Sequence, residues 1–201
     1  MVKTIKVKDH FDKMAPVYES LSNRFPWQWL RHRETQTLLS LLGDVMGKEV
    51  LEFGCGAGHY SNLLLNAGAC RLWVVDLSQE MLDQISESQI TKICGDASCI
   101  KLDRQFSVAV SAGLFEFVDD CPKTLKNLAR HVERGGNIVI LYPLRGFLGS
   151  VYRLVHYLDG LNIRVFSVRE FQILAEDAGM QLVNTEKCGL FSAVSLFRRQ
   201  I

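Results

Sequence analysis

Gly54, Gly56 and Gly58 stand at every second position, directly after a short apolar run. No other feature constrains this chain as much. Val50-Leu51-Glu52-Phe53 reads as a strand that stops where the glycines begin, and Tyr60, Leu63 and Leu64 then recur at helical spacing. The segment predicts strand, tight turn and helix in that order. A turn with so little side chain lets a ligand lie against bare main chain, where a Cβ would intrude.

Two further strand ends follow. Arg71-Leu72-Trp73-Val74-Val75-Asp76 ends in a carboxylate, and Asp76 lies 22 positions after Gly54. In a strand-helix-strand unit that interval returns the acid beside the glycine turn, where it can accept from both hydroxyls of a ribose. Ile93-Cys94-Gly95-Asp96-Ala97 is a third strand end with another acid. The glycine spacing argues against a nicotinamide-dependent oxidoreductase. That fold wants G-x-G-x-x-G around a pyrophosphate, whereas here the third glycine comes one residue early and His59 follows it. Glu52, just before the turn, also suits a cationic ligand better than an anionic one.

Taken together, E-x-G-x-G-x-G, Asp76 and Gly95-Asp96 resemble the class I S-adenosylmethionine-dependent methyltransferases, from about Val45 to the C-terminus. The segment Phe11-Asp12-Lys13-Met14-Ala15-Pro16-Val17-Tyr18-Glu19 is similar to the start of small-molecule methyltransferases of the ubiquinone/menaquinone biosynthesis type, with Glu19 in place of the usual Asp. The resemblance implies an α/β fold: a Rossmann-like three-layer sandwich with a seven-stranded, mostly parallel sheet of order 3-2-1-4-5-7-6 and an N-terminal helical lid.

The element pattern is compatible with that fold. Strands are expected at 49–53, 71–76, 91–95, 106–112, 136–142, 181–187 and 190–198, with helices at 58–67, 79–88, 121–132 and 168–178. Gly68, Gly135-Gly136 and Gly179 are read as turns after helices. Ser167 and Glu170 form a capping box, and the last two strands read as a hairpin around Cys188-Gly189. Ahead of the sheet, helices are expected from Asp9 to about Ser22, with Pro16 shifting or kinking its start, and from Pro26 to Leu42, with Pro26 in the first turn. Residues 143–166 are rich in large apolar side chains and read largely as an amphipathic helix. One domain of 201 residues is expected, divided into a lid (1–44), a donor-binding half (45–142), a substrate-covering insertion (143–166) and a final helix with hairpin (167–201).

Composition narrows the partners. A net charge of +1 offers no field for DNA, RNA or anionic membranes, and no base-flipping signature appears. Lys3, Lys6 and Lys8 read as a solvated tail. No apolar run is long enough to span a bilayer, and the first residues lack the apolar core of a signal peptide, so a cytoplasmic location without stable membrane insertion is expected. The six cysteines form no C-x-x-C pair or zinc-like cluster; they read as buried thiols in a reducing compartment, and no metal is expected.

The resemblance also implies roles. S-adenosylmethionine would be the co-substrate. Gly54, Cys55, Gly56 and Gly58 would bring main chain to its methionine and ribose portions, with Glu52 organising the loop. Asp76 would hold the ribose, Leu77 and Met81 would flank the adenine, and Asp96 and Ala97 would bond its edge. Ser111 to Leu114, including Gly113, would supply carbonyls to the amino group, and Tyr18 would close over the donor. Tyr18 as plain helix packing remains the alternative.

The catalytic residue stays open. Relatives often carry a histidine where this chain has Phe117, within Phe115-Glu116-Phe117-Val118. His32, His59, Glu116, Tyr142 and His156 are candidate proton acceptors; for His32 a solvated face, for His59 a surface or capping role and for His156 a non-catalytic role is the alternative. Trp27 and Trp29 read as lid or core aromatics rather than a cation cage. The chain is therefore expected to move a methyl group to a small, partly apolar acceptor. A catalytically silent S-adenosylmethionine-binding subunit is the alternative. The accepting atom and the oligomeric state are not specified by the sequence.

Overall fold

The computed structural model describes residues 2–22 and 27–200. Its elements are α1 (Val2–Ser22), α2 (Trp27–Leu42), β1 (Glu49–Phe53), α3 (His59–Asn66), β2 (Arg71–Asp76), α4 (Gln79–Asp83), β3 (Ile90–Cys94), β4 (Phe106–Ala112), α5 (Cys121–Arg130), β5 (Val132–Pro143), α6 (Phe147–Leu158), α7 (Val168–Glu176), β6 (Met180–Cys188) and β7 (Ser192–Arg199). The seven strands form one sheet in the order β3-β2-β1-β4-β5-β7-β6, as expected. Strands β1 to β5 pair in parallel, and β7 pairs antiparallel with both β5 and β6.

Alternation along the central strands divides the interior. Leu51, Ala109, Ile138 and Ile140 enter one core with Leu125 and Leu128 of α5 and Phe171 of α7. Their neighbours Val50, Val108, Val110 and Val139 enter the other, against Leu38 and Leu42 of α2 and Leu64 of α3. Successive side chains point to opposite faces, so a strand covered on both faces reads as continuously apolar. Both hydrogen bonds of the capping box at Ser167 and Glu170 form, and α6 lies within the apolar segment 143–166.

Four boundaries differ from the sequence expectation for physical reasons. Helix α1 starts at Val2, so the basic start is helical rather than a tail. Val7 packs with Phe117, Leu161 and Ile163, Thr4 Oγ1 donates to Asp119 Oδ2 at 2.7 Å, and Lys8 pairs with Asp12 at 2.5 Å. Helix α4 stops at Asp83; Lys92 Nζ then binds the carbonyls of Leu82 and Ile85, and Ile85 tucks beneath Gly58. Strand β5 begins at Val132, and Gly135-Gly136 lie inside it where the register shifts against Phe106 and Val108. A Cβ on Gly136 would meet Val132 Cγ1 at 2.7 Å and the Ser107 carbonyl at 2.9 Å, so this bulge needs a glycine. Helix α5 ends at Arg130, because His131 turns back: its Nδ1 lies 2.8 Å from the Asn127 carbonyl and its Nε2 accepts from Leu102 N–H at 3.0 Å. Pro16 lies inside α1, while the first-turn position assigned to Pro26 falls outside the described residues.

The thiols depart from expectation too. Cys55, Cys121 and Cys188 are buried, but Cys70, Cys94 and Cys99 are exposed. Among the described residues no group of three or more His, Cys, Asp and Glu side chains has metal-binding geometry, and no helix is long and apolar enough to cross a membrane.

Glu52 points into the core at the end of β1. Ser61 Oγ of α3 donates to its Oε2 at 2.5 Å, and Oε1 has no hydrogen-bond partner among the described residues. Burial pushes its carboxyl up to about 7, with the Ser61 hydrogen bond opposing and the charge of Asp76 adding. An acid raised on folding holds its proton better in the folded state. Its stabilising effect is therefore present at low pH and lost as pH rises through about 7.

Two measurements follow from this packing. Urea unfolding between pH 5 and 8 should show Glu52→Gln flattening the pH profile by up to ~3 kcal/mol relative to the parent chain; parallel profiles would contradict the assignment. Gly149 sits so close to the Leu144 carbonyl that a Cβ would lie 2.0 Å from its oxygen. Gly149→Ala should cost ~1–3 kcal/mol and speed proteolysis at α6, as read by thermal unfolding and limited trypsin digestion.

Candidate active site

The parallel strands aim their C-terminal ends at one rim. There β1 breaks into the glycine turn. Gly54 has φ +75, and a Cβ on it would strike Leu114 Cβ at 2.8 Å; Gly56 has φ +51 and open space where its Cβ would point. Both need the left-handed backbone that only glycine adopts readily.

Asp76, at the end of β2, ties this turn down. Its Oδ2 accepts from Gly56 N–H at 2.8 Å and its Oδ1 from Ser78 N–H at 3.0 Å. Burial raises its carboxyl, while N–H groups of Ser78, Gly56 and Leu77 act in the opposite sense. The main chain continues the stitching along the rim: Gly54 N–H donates to the Val75 carbonyl at 2.7 Å, and Gly95 N–H to the Asp76 carbonyl at 2.8 Å. Asp96, just past β3, accepts Ser98 N–H at 2.7 Å.

These ends open into a cavity of about 1240 Å³. The strand ends supply Gly54, Cys55, Gly56, Asp76 and Gly113 to its wall, the turns after β2 and β3 add Leu77, Asp96 and Ala97, and α4 adds Met81. Phe11 and Tyr18 of α1, Arg31 and Glu34 of α2, and Tyr152 and His156 of α6 line it from the helical side. Tyr18 meets Phe11 edge-on at 6.3 Å between centroids, and the Arg31 guanidinium lies 5.9 Å from its ring centre.

Three expected donor-site residues lie behind the wall instead of on it. Glu52 is fully buried against Ser61. Gly58 caps α3 and presses on Ile85, where a Cβ would come within 2.8 Å of Cγ1. Ser111 is fully buried and donates to the Phe53 carbonyl at 2.9 Å, tying β4 to the end of β1. Strand alternation turns Glu52 of β1 and Ser111 of β4 into the interior on opposite faces of the sheet, while Gly58 is taken up in capping α3.

The candidate proton acceptors separate as sharply. His32 is exposed on α2 and outside the cavity wall. Tyr142 borders the cavity, but its side chain is committed to the core: its ring stacks on Phe171 at 4.0 Å and 7°, and its hydroxyl meets Ser195 Oγ at 3.0 Å. His59 lines the cavity beside Thr35 Oγ1, but burial and then Arg31 push it down to about 4. His156 also lines it, edge-on to Phe117 at 5.5 Å; its Nδ1 has no hydrogen-bond partner among the described residues, and burial lowers its pKa. Glu116 is buried on the cavity wall, and its carbonyl accepts Arg164 N–H at 3.0 Å. Trp29 is exposed with Arg33 over its ring, so it belongs to neither core nor cavity. The side chain of Trp27 falls outside the described residues.

Sequence reasoning missed Glu34, Tyr60, Tyr152 and Phe191, all on the wall. One signal for Glu34 was available. It stands between Leu30 and Leu38 at four-residue spacing, an acid in the apolar stripe of α2.

Comparisons with known proteins agree with this fold. The magnesium protoporphyrin IX methyltransferase of Synechocystis PCC 6803, crystallised with bound SAH, superposes with a TM-score of 0.75 at 17% identity, covering 96% of this chain and 98% of that one. The malonyl-[acyl-carrier protein] O-methyltransferase of Priestia megaterium is 27% identical over 146 residues, 69% of this chain and 52% of the relative. The ubiquinone biosynthesis O-methyltransferase of Coxiella burnetii is 30% identical over 116 residues, 54% of this chain and 49% of the relative. The chain thus spans about half the length of the curated relatives it matches. A family model described as "Methyltransferase domain" covers residues 27–196, and the chain belongs to that family.

Proposed function

We propose that this chain transfers a methyl group from S-adenosylmethionine to a small, partly apolar acceptor. The observation that carries this reading is the Asp76 carboxylate bonded to Gly56 N–H at the mouth of the cavity. It leaves bare main chain and an acid side by side, the donor set that an adenosyl group with a cationic sulfur requires.

The residues present fit that ligand. Gly56 leaves open the space a side chain would fill. Asp76 would hold the ribose hydroxyls, Gly54 and Cys55 would face the methionine portion, and the Gly113 region would receive its amino group. Leu77 and Met81 would flank the adenine, with Asp96 and Ala97 at its edge and Tyr18 closing above. Carboxylates of Glu34, Asp76, Asp96, Glu116, Asp119, Asp120 and Asp159 outnumber the bases Lys8, Arg31 and Lys123 on the wall, which favours a positively charged guest.

The bound donor supplies a methyl group already activated by the positive sulfur. The chain's part is then alignment, exclusion of water and handling of a proton. Positioning of this kind contributes ~7–11 kcal/mol in favourable systems. The apolar side of the cavity, formed by Phe11, Phe117, Tyr152 and Phe191, supports an acceptor with an apolar body. Both curated relatives described above carry O-methyltransferase names, which favours oxygen as the accepting atom. Exposed Cys70, Cys94 and Cys99 suit a reducing cytoplasm.

Asp76→Ala should weaken S-adenosylhomocysteine binding about a hundredfold, the equivalent of roughly 3 kcal/mol. Calorimetry at pH 7.5, with circular dichroism to verify folding, measures it; equal affinity in a folded variant would refute the assigned role. Labelled methyl should pass from S-adenosylmethionine to a phenolic or lipid-like extract fraction with the parent chain and not with Asp76→Ala.

A further inference from the structure

One cluster on the cavity wall has no part in holding the donor. Glu34 of α2 is half-buried there, and Ser192 Oγ, at the start of β7, donates to its Oε1 at 2.6 Å. Ser192 pairs with Pro143 at the end of β5. The sheet order places β7 beyond β5, across β1 and β4 from Asp76. Glu34 therefore stands on the side of the cavity away from the ribose acid. Tyr18 lines the same cavity.

The surroundings leave Glu34 able to take a proton. Its carboxyl is pushed up to about 7 by burial, with the Ser192 hydrogen bond and the Arg31 charge opposing. Tyr18, Tyr60 and Tyr152, on α1, α3 and α6, face it, and so does Cys188 of β6. Burial raises all four, so they stay protonated near neutral pH. His59, lowered to about 4, and His10 and His156, also lowered by burial, are weakened as proton acceptors. A general base works best when its pKa lies near the working pH.

We infer that Glu34, held by Ser192, accepts the proton of the acceptor's hydroxyl or amine during methyl transfer. The inference rests on the methyltransferase reading above. The acceptor's lone pair forms the new bond to carbon, the carbon–sulfur pair stays on sulfur, and the acceptor's proton passes to a Glu34 carboxylate oxygen and then to solvent. The charge rises by one on Glu34 and falls by one on the donor, so the step balances. A carboxylate acceptor has no such proton, and its charge would face that of Glu34. The substrate class is therefore a hydroxyl or amine compound.

The test uses the full chain with S-adenosylhomocysteine bound. Isotope-edited infrared spectra, parent minus Glu34→Gln, should show one carboxyl group ionising near pH 7. Ser192→Ala should move that titration upward, since the lost hydrogen bond favoured the charged form. Binding of 4-methylphenol and benzylamine should strengthen about tenfold from pH 6 to 8, following the ionised fraction of Glu34, and Glu34→Gln should abolish that dependence. Benzoate should show the opposite trend. A Glu34 already ionised at pH 6, a pH dependence surviving in Glu34→Gln, benzoate preferred at pH 8, or none of the three probes bound would each overturn the inference. Affinity for S-adenosylhomocysteine is the control. If the parent chain ignores that compound, the methyltransferase reading fails; if both chains bind it equally and the probes behave otherwise than stated, only the Glu34 role falls.

Discussion

The hydrogen bonds from Gly56 N–H and Ser78 N–H to the Asp76 carboxylate hold the rim of this molecule together. They join the turn after β1 to the turn after β2, two segments that the sheet brings side by side but whose main chains have left the ladder. Without an acceptor there, donors in a left-handed turn would face the cavity unpaired, and a buried unpaired donor costs about 1–3 kcal/mol. The same carboxylate is the group we propose to meet the ribose, so the bond that shapes the cradle would also orient that contact.

The position of the cavity follows from topology. Strand order reverses between β1 and β4: β2 and β3 extend one way from that point, and β5, β7 and β6 the other. The connections after β1 and β4 diverge to opposite faces and leave a crevice at the strand ends, the usual place for a ligand in an open parallel sheet. Helices α1, α2 and α6 turn that crevice into a chamber. Helix α6 contributes Tyr152 and His156 to the chamber, while Phe147, Leu154 and Leu158 remain exposed at 83%, 57% and 77%.

Burial sorts the ionisable groups of the chamber by what it does to each. It lowers His10, His59 and His156, and it raises Glu34 and Asp76. One physical cause acts in opposite directions on bases and acids, because in each case it disfavours the charged form. Two of the histidines that drew notice in the sequence, His59 and His156, are thereby weakened as bases. Glu34, between Arg33 and Thr35, becomes the group poised near neutrality.

What the chain alone determined is everything written in short-range pattern. The glycine turn, Asp76 at its interval, the apolar strands and the capping box at Ser167 and Glu170 are local matters of backbone freedom and side-chain period. What only the tertiary structure decided depends on partners distant in sequence. Val7 extends α1 because Phe117 and Ile163 receive it, and Lys92 terminates α4 by binding its carbonyls. Gly136 belongs inside a strand because Ser107 lies against it. Glu52 and Ser111 point into the interior and Gly58 caps α3, whereas Glu34 reaches the cavity and finds Ser192 across 158 positions. Local pattern sets which conformations a segment can take; the direction a side chain faces, and hence its charge state and its chemistry, is set by what packs against it.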